Sequence, residues 1–282
     1  MRWLFIKMKK WIILQNLIEI MEIAALILFI GFITWLSYNW KKKKPDSLEP
    51  FSPEYRIILQ DKVVFYKQLV DKDKLIFENR LQQFLSQVKI TGVHTIVESI
   101  DRVFVAASAI IPIFAFTNWQ YNNLNEVLLY PDSFNEEFKI AGGQDRSVLG
   151  LVGSGAMQHV MILSQPSLRE GFNNKTDRNN TGIHEFVHLI DKTDGDLDGV
   201  PENLLDKKYL VPWINLMHKN IEEILADKSD INPYGATNKA EFFAVVSEYF
   251  FAQPDLLQQR HPDLYHLLEQ IFGQKEDNAN TK

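Results

Sequence analysis

The sequence predicts an α+β fold, mainly helical with a small sheet, preceded by one N-terminal transmembrane helix. Three observations predict it. Apolar residues recur at helical spacing through most of the chain, as in Leu75, Phe77, Leu81, Phe84, Leu85 and Val88. Two short β-rich runs, Asn125–Tyr130 and His159–Ser164, stand between the helices and end at or just before a proline. From Ile23 to Trp40 there is no charged residue.

Eighteen residues at 1.5 Å rise cover about 27 Å, close to the roughly 30 Å of a bilayer core. Trp35, Tyr38 and Trp40 gather towards one end of this run, as an aromatic belt would, and Lys41–Lys44 follow directly. A single-pass membrane protein with its body in the cytoplasm is therefore expected. The flanking lysines and the lack of a small-residue cleavage pattern argue against a cleaved signal peptide. The segment 1–40 carries the span (about 23–40), 41–53 is a basic and polar linker with three prolines, 54–272 is the main domain, and 273–282 is a polar tail.

Along the domain, helical spacing runs from Ser52 to Val88. Residues 98–116 read as a buried helix that Pro112 interrupts. The two strands follow, with a Gly-rich loop at 141–156 between them, and 171–180 is polar and loop-like. Further helices are expected at Ile183–Ile190, 213–226 and Asn238–Ala252, the last stopped by Pro254.

Composition removes several function classes. The 282 residues include no cysteine, which excludes disulfides, thiolate zinc sites, iron–sulfur clusters and a cysteine nucleophile. Any metal must be held by His, Asp or Glu. Eight of the 30 basic residues and two of the 36 acidic ones lie before residue 46, so the rest has 22 basic against 34 acidic residues. An acidic body of this kind is not built for nonspecific nucleic-acid binding.

The strongest motif is His184-Glu185-Phe186-Val187-His188. Successive helical residues turn by about 100°, so the two histidines share a face and can hold one zinc ion between them. Glu185 stands one position round, within reach of a water at that ion, where it can act as general base. Ile183, Phe186, Val187, Leu189 and Ile190 make this helix apolar nearly all round, which implies burial. Buried histidines and a buried glutamate need partners, and a metal supplies them.

Such a site needs a third protein ligand. Asp194 has the spacing of one zinc-peptidase class, but Asp191 stands where that class needs a glycine turn. Glu241 and Glu248, seven residues apart, share a face of the later helix. Asn238-x-x-Glu241 also has the form of a helix capping box, and Glu248 also suits a supporting or a merely exposed carboxylate. Spacing slightly favours a glutamate from the separate helix. Asp194, Asp196 and Asp198 begin like a calcium loop, but Leu205 at its twelfth position lacks the carboxylate, so a tight acidic turn is expected. Asp191 is placed to orient His188 or to cap the helix end. The strand before the zinc helix could pair with an extended peptide, by analogy with other zinc peptidases.

The stretches HEFVHLIDKTDGDLDGVP (184–201), NPYGATNKAEFFAVVSEYFF (232–251), LLYPDSF (128–134) and HPDLYHLL (261–268) resemble the zinc-dependent peptidases of the Mlc titration factor A type. The resemblance covers about Glu54 to Phe272. It implies a zincin-like domain with one zinc ion per chain, held by His184, His188 and Glu241, with Glu185 as general base. It also implies that Tyr234 polarises the substrate carbonyl, a role that a phenol donating to a developing oxyanion can fill. Aminopeptidase-like activity on peptides is implied too. Some members bind a glucose-responsive repressor, so a module that sequesters a transcriptional regulator is the alternative function.

Overall fold

The computed structural model describes residues 29–35, 50–116, 118–132, 150–152, 159–173 and 178–273. The chain divides into two units, Met1–Pro50 and Phe51–Lys282.

In the first unit the described helical segment covers 29–35, with its side chains exposed. No helix among the described residues is long and apolar enough to cross a membrane. The expected transmembrane helix over 23–40, and with it the single-pass membrane location, is corrected on that finding. The remainder of that run lies outside the described residues, as does 274–282 of the expected tail.

The second unit is α+β as expected, helical with a small mixed sheet. Its elements in order are α1 (Pro53–Lys62), α2 (Val64–Gln68), α3 (Asp71–Gln87), β1 (Lys89–Gly92), α4 (Ser99–Ile113), β2 (Glu126–Tyr130), β3 (Gly150–Val152), β4 (Val160–Ser164), α5 (Gln165–Asn173), α6 (Thr181–Asp191), α7 (Lys207–Leu225), α8 (Lys239–Ala252), α9 (Pro254–Arg260) and α10 (Pro262–Phe272). The sheet order is β1-β2-β4-β3. β1, β2 and β4 are parallel, with Val127 opposite Ile90 and Met161, and β3 closes the sheet antiparallel to β4. Both edges of β4 are thus occupied. The expectation that this strand pairs with a peptide is corrected, because its backbone groups already serve β2 and β3.

Several boundaries differ from expectation for physical reasons. Helical spacing over 52–88 becomes three helices, with Val63 and Val70 taking extended backbone before α2 and α3. Pro112 lies in the last turn of α4 and does not split it. Beyond it, the Arg80 guanidinium donates to the carbonyls of Ile113 and Phe114 at 2.9 and 2.8 Å, satisfying the helix end. Pro254 ends α8 only to begin α9, where a proline at the first helical position has no amide bond to lose.

α4 is the core helix. Val103 to Ala107 and Ala109 are fully buried, and α4 packs against α1, α3, α5 and α6. α6 is buried from Gly182 to Asp191, lying against α4, α8 and β3. The approach of α6 to α4 depends on Gly182, where a Cβ would run into Ser108 Oγ. The helix carrying the histidines is therefore fixed on several sides by close packing.

Candidate metal centre

α6 starts at Asn180, a residue type that suits a helix N-cap. Its side-chain oxygen accepts the Ile183 N–H at 3.0 Å, and its amide nitrogen donates to the Gly171 carbonyl at 3.0 Å. One turn in, His184 and His188 stack on one face. Their rings meet edge to face at 4.7 Å, and their Nε2 atoms are 3.1 Å apart. Both are buried, and so is Glu185 between them.

The third arm comes from α8. Asn238 caps it by accepting the Glu241 N–H at 2.9 Å. Its capping box is half formed, because the Glu241 carboxylate turns to the histidines. Glu241 Oε2 lies 2.9 Å from His184 Nε2 and 3.5 Å from His188 Nε2. One ligand atom from each of His184, His188 and Glu241 lies within 4.8 Å of the other two, the one such cluster among the described residues. Of the three carboxylates that spacing allowed, Glu241 is the one in place. Asp194 is exposed in a turn, accepting the backbone N–H groups of Asp196 and Glu202 at 3.3 and 3.1 Å. Glu248 lies on the opposite side of the His184 ring, its Oε1 2.6 Å from Nδ1 and its Oε2 accepting the Asn180 N–H.

The donor set fits a metal cation. A carboxylate only accepts, so with Glu248 at Nδ1 that nitrogen carries a proton, and Nε2 is the nitrogen left to take a second proton or a metal. Nε2 faces a carboxylate oxygen and a second imidazole nitrogen. A cation among them, whether a proton or a metal, resolves the repulsion. Two imidazoles and one carboxylate form an open three-ligand set of the kind that leaves a coordination position for chemistry.

The electrostatics follow. Burial would lower the His184 pKa, but Glu248 and Glu241 outweigh it and hold it well above its usual value. Burial would raise Glu241, but its bonds with His184 and His188 hold it well below the carboxylate range. Glu185 moves the other way. Burial raises it, and the two histidines only partly oppose that.

Tyr234 stands beside this cluster on a 3-10 turn, Pro233–Ala236, started by Asn232 accepting the Tyr234 N–H at 3.0 Å. It is 47% exposed, and its ring centre lies 6.0 Å from that of His184. The turn is anchored by Asp230, which the sequence did not mark. Asp230 accepts from His261 (2.7 Å), Tyr249 (3.0 Å) and Arg260 (3.0 Å), and pairs with Arg178 at 2.9 Å. Asn232 also donates to Asn179 Oδ1 at 3.0 Å, tying the turn to the residues that lead into α6. Asn180 and Asn232 could have been found as caps from their type and position. Asp230 has no such local signal, since its partners come from three other segments.

No hydrogen bond joins Asp191 to His188 among the described residues, and Asp191 Oδ1 and His188 Nδ1 are both buried without one. Asp191 Oδ2 accepts the Gly199 N–H at 2.8 Å, and burial pushes its pKa to about 7.

Residues 37–273 match the model of the glucose-regulated metallo-peptidase M90 family. The chain is similar to an uncharacterized protein of Synechocystis sp., 29% identical over an alignment 279 positions long that covers 92% of this chain and 97% of that protein. It is also similar to the Mlc titration factor A of Pectobacterium atrosepticum, 28% identical over 209 residues (68% of this chain, 76% of the relative). The Mlc titration factor A of Cronobacter sakazakii is 24% identical over 256 residues (85% and 92%).

Proposed function

We propose, from the premise that the chain belongs to the glucose-regulated metallo-peptidase M90 family, that this metallopeptidase uses zinc and cleaves residues from peptide ends in the manner of an aminopeptidase. One observation carries the reading: the ligand atoms of His184, His188 and Glu241 converge within 4.8 Å at a buried point beside Glu185. Those three residues would hold the ion, one per chain. Bound there, zinc supplies Lewis acidity, which makes water nucleophilic at neutral pH and polarises a carbonyl.

The chain's own groups do the rest. Glu185 takes the proton of the attacking water and passes it to the leaving amine. Buried on the helix between the two histidines, its carboxylate is held in place to serve both transfers. Tyr234, half exposed beside His184, donates its phenol O–H to the oxygen that becomes negative as the carbonyl is attacked. β3 has one neighbouring strand among the described residues, so its outer edge can take an extended peptide as an added strand.

The test uses the full chain. Metal analysis should find about one zinc per chain, and digestion of a peptide library should stop with a chelator and resume on adding zinc. Glu241→Ala should lose the ion, while Asp194→Ala should keep it. A metal-free, inactive wild type would overturn the reading.

A second reading rests on the relatives named Mlc titration factor A. In it the domain captures a transcriptional regulator and hydrolysis is secondary. Glu185→Ala separates the two readings: an unchanged cellular effect favours capture, and its loss favours hydrolysis.

A further inference from the structure

α8 presents two carboxylates to one imidazole. Glu241 and Glu248 are seven residues apart, so their directions around the helix differ by about 20°. They do not act on the same side of His184. Glu241 meets Nε2 at 2.9 Å, and Glu248 meets Nδ1 at 2.6 Å. The two ring nitrogens point away from each other, so Glu248 cannot share an ion with Nε2. Nor is Glu248 free to act on substrate. Both of its oxygens are engaged, one by the imidazole and the other by the Asn180 backbone N–H.

Asn180 is also the N-cap of α6, so one carboxylate grips both the start of the histidine helix and a ring on its first turn. His188 has no equivalent. Its Nδ1 is buried and makes no hydrogen bond among the described residues, and the nearby Asp191 is turned to Gly199. The two histidines therefore differ on the side away from the cluster: Glu248 accepts at His184 Nδ1, while His188 Nδ1 makes no hydrogen bond among the described residues.

We infer that Glu248 is a positioning residue. By accepting the Nδ1 proton of His184 and the Asn180 N–H together, it fixes the tautomer and angle that aim His184 Nε2 at the metal. The inference rests on His184 being a ligand, as proposed above. A carboxylate in this place keeps the proton off the coordinating nitrogen and makes that nitrogen a stronger donor, and losing such a partner typically costs 10- to 100-fold in metal affinity. The rival is a plain brace between α8 and the start of α6, which would affect melting but not the ion.

The test measures zinc affinity of the full-length protein by competition with a chromophoric chelator, alongside melting of the metal-free protein. Glu248→Ala is expected to weaken zinc about 10- to 100-fold. Glu248→Gln should fall between the variant and the wild type, because its one carbonyl oxygen can still accept from His184. Asp191→Asn should leave affinity nearly unchanged. In the zinc-loaded wild type, nitrogen-15 spectra of the histidines should show His184 protonated at Nδ1 and coordinated through Nε2. Lowered melting with unchanged zinc affinity in both Glu248 variants would establish the brace and overturn the inference. Coordination through Nδ1 would overturn it in the wild type alone, whether or not the variants fold. A wild type that binds no zinc would remove the site reading and this inference with it. Zinc bound normally by wild type and lost in Glu241→Ala, but unaffected by Glu248 variants, would leave the site reading standing and reject only the role of Glu248.

Discussion

The Gly199 backbone N–H donates to Asp191 Oδ2 at 2.8 Å, joining the end of the histidine helix to the loop that returns towards α8. Gly199 also accepts the Trp213 indole N–H at 2.7 Å, and its φ is +77°. A Cβ there would run into the backbone of Lys239, two residues before Glu241. Gly199→Ala should therefore act twice. The left-handed backbone costs about 1–3 kcal/mol for a non-glycine residue, and the collision displaces the segment that carries Glu241. Gly195→Ala is the control, because its φ is +112° but open space surrounds it. Urea unfolding should report a loss in both variants. Zinc competition should report weaker binding only in Gly199→Ala.

Glu185→Gln keeps shape and removes the base. Zinc content should stay at the wild-type level while turnover falls by about 10²- to 10⁴-fold, the usual contribution of a positioned base. Steady-state assays with metal analysis on the same samples check both. Turnover near wild type would move the base elsewhere.

Tyr234→Phe removes one hydroxyl from a half-exposed side chain. Folding and zinc content should be unaffected. The lost hydrogen bond strengthens as the carbonyl oxygen becomes negative, so kcat should drop about 10²-fold with KM little changed. A raised KM at constant kcat would make Tyr234 a substrate-binding residue instead.

Asp230 predicts a pH dependence. Burial would raise its pKa, but the bonds to His261 and Tyr249 and the charge of Arg178 overrule burial and hold it below its ordinary 3.8. A carboxylate with a depressed folded pKa contributes stability that is complete above its unfolded value and is lost as pH falls through the folded one. Asp230→Asn should therefore destabilise the protein at pH 7, and the difference from wild type should shrink below about pH 4. Because Asp230 anchors the turn bearing Tyr234, the same variant should lower kcat at neutral pH. A stability difference that stays constant between pH 7 and pH 3 would show that packing, not charge, supplies the effect.

The parts of the site that depend on local geometry were legible in the sequence. The i, i+4 spacing of His184 and His188 fixes their shared face whatever the rest of the fold does, and Asn238 before α8 gave the cap that starts the turn with Glu241. That the Glu241 carboxylate, and not Asp194 or Glu248, lies beside both Nε2 atoms depends on the packing of α6 on α8, which no local pattern encodes. β1 and β3 were missed because four and three residues are too few to show alternation, and their pairing comes from distant strands. α5 was read in part as loop because its second half, Gly171 to Asn173, lacks helix-forming residues and is held through the Asn180 bond to Gly171. The uncharged run at 23–40 suggested a span by apolar length alone, whereas no helix among the described residues is long and apolar enough to cross a membrane.

With His184, His188 and Glu241 as the proposed metal ligands, their separation along the chain has a consequence in time. His184 and Glu241 are 57 residues apart, and the carboxylate comes last. During synthesis the HExxH helix leaves the ribosome with both imidazoles but without the residue that completes the triad. Metal capture must wait until α8 has emerged and docked, so an unfinished chain, or one truncated before Asn238, carries the motif without a complete binding site. On that proposed reading, hydrolytic capacity is withheld from copies that have not finished folding, and full zinc occupancy would mark a chain whose α6 and α8 have come together.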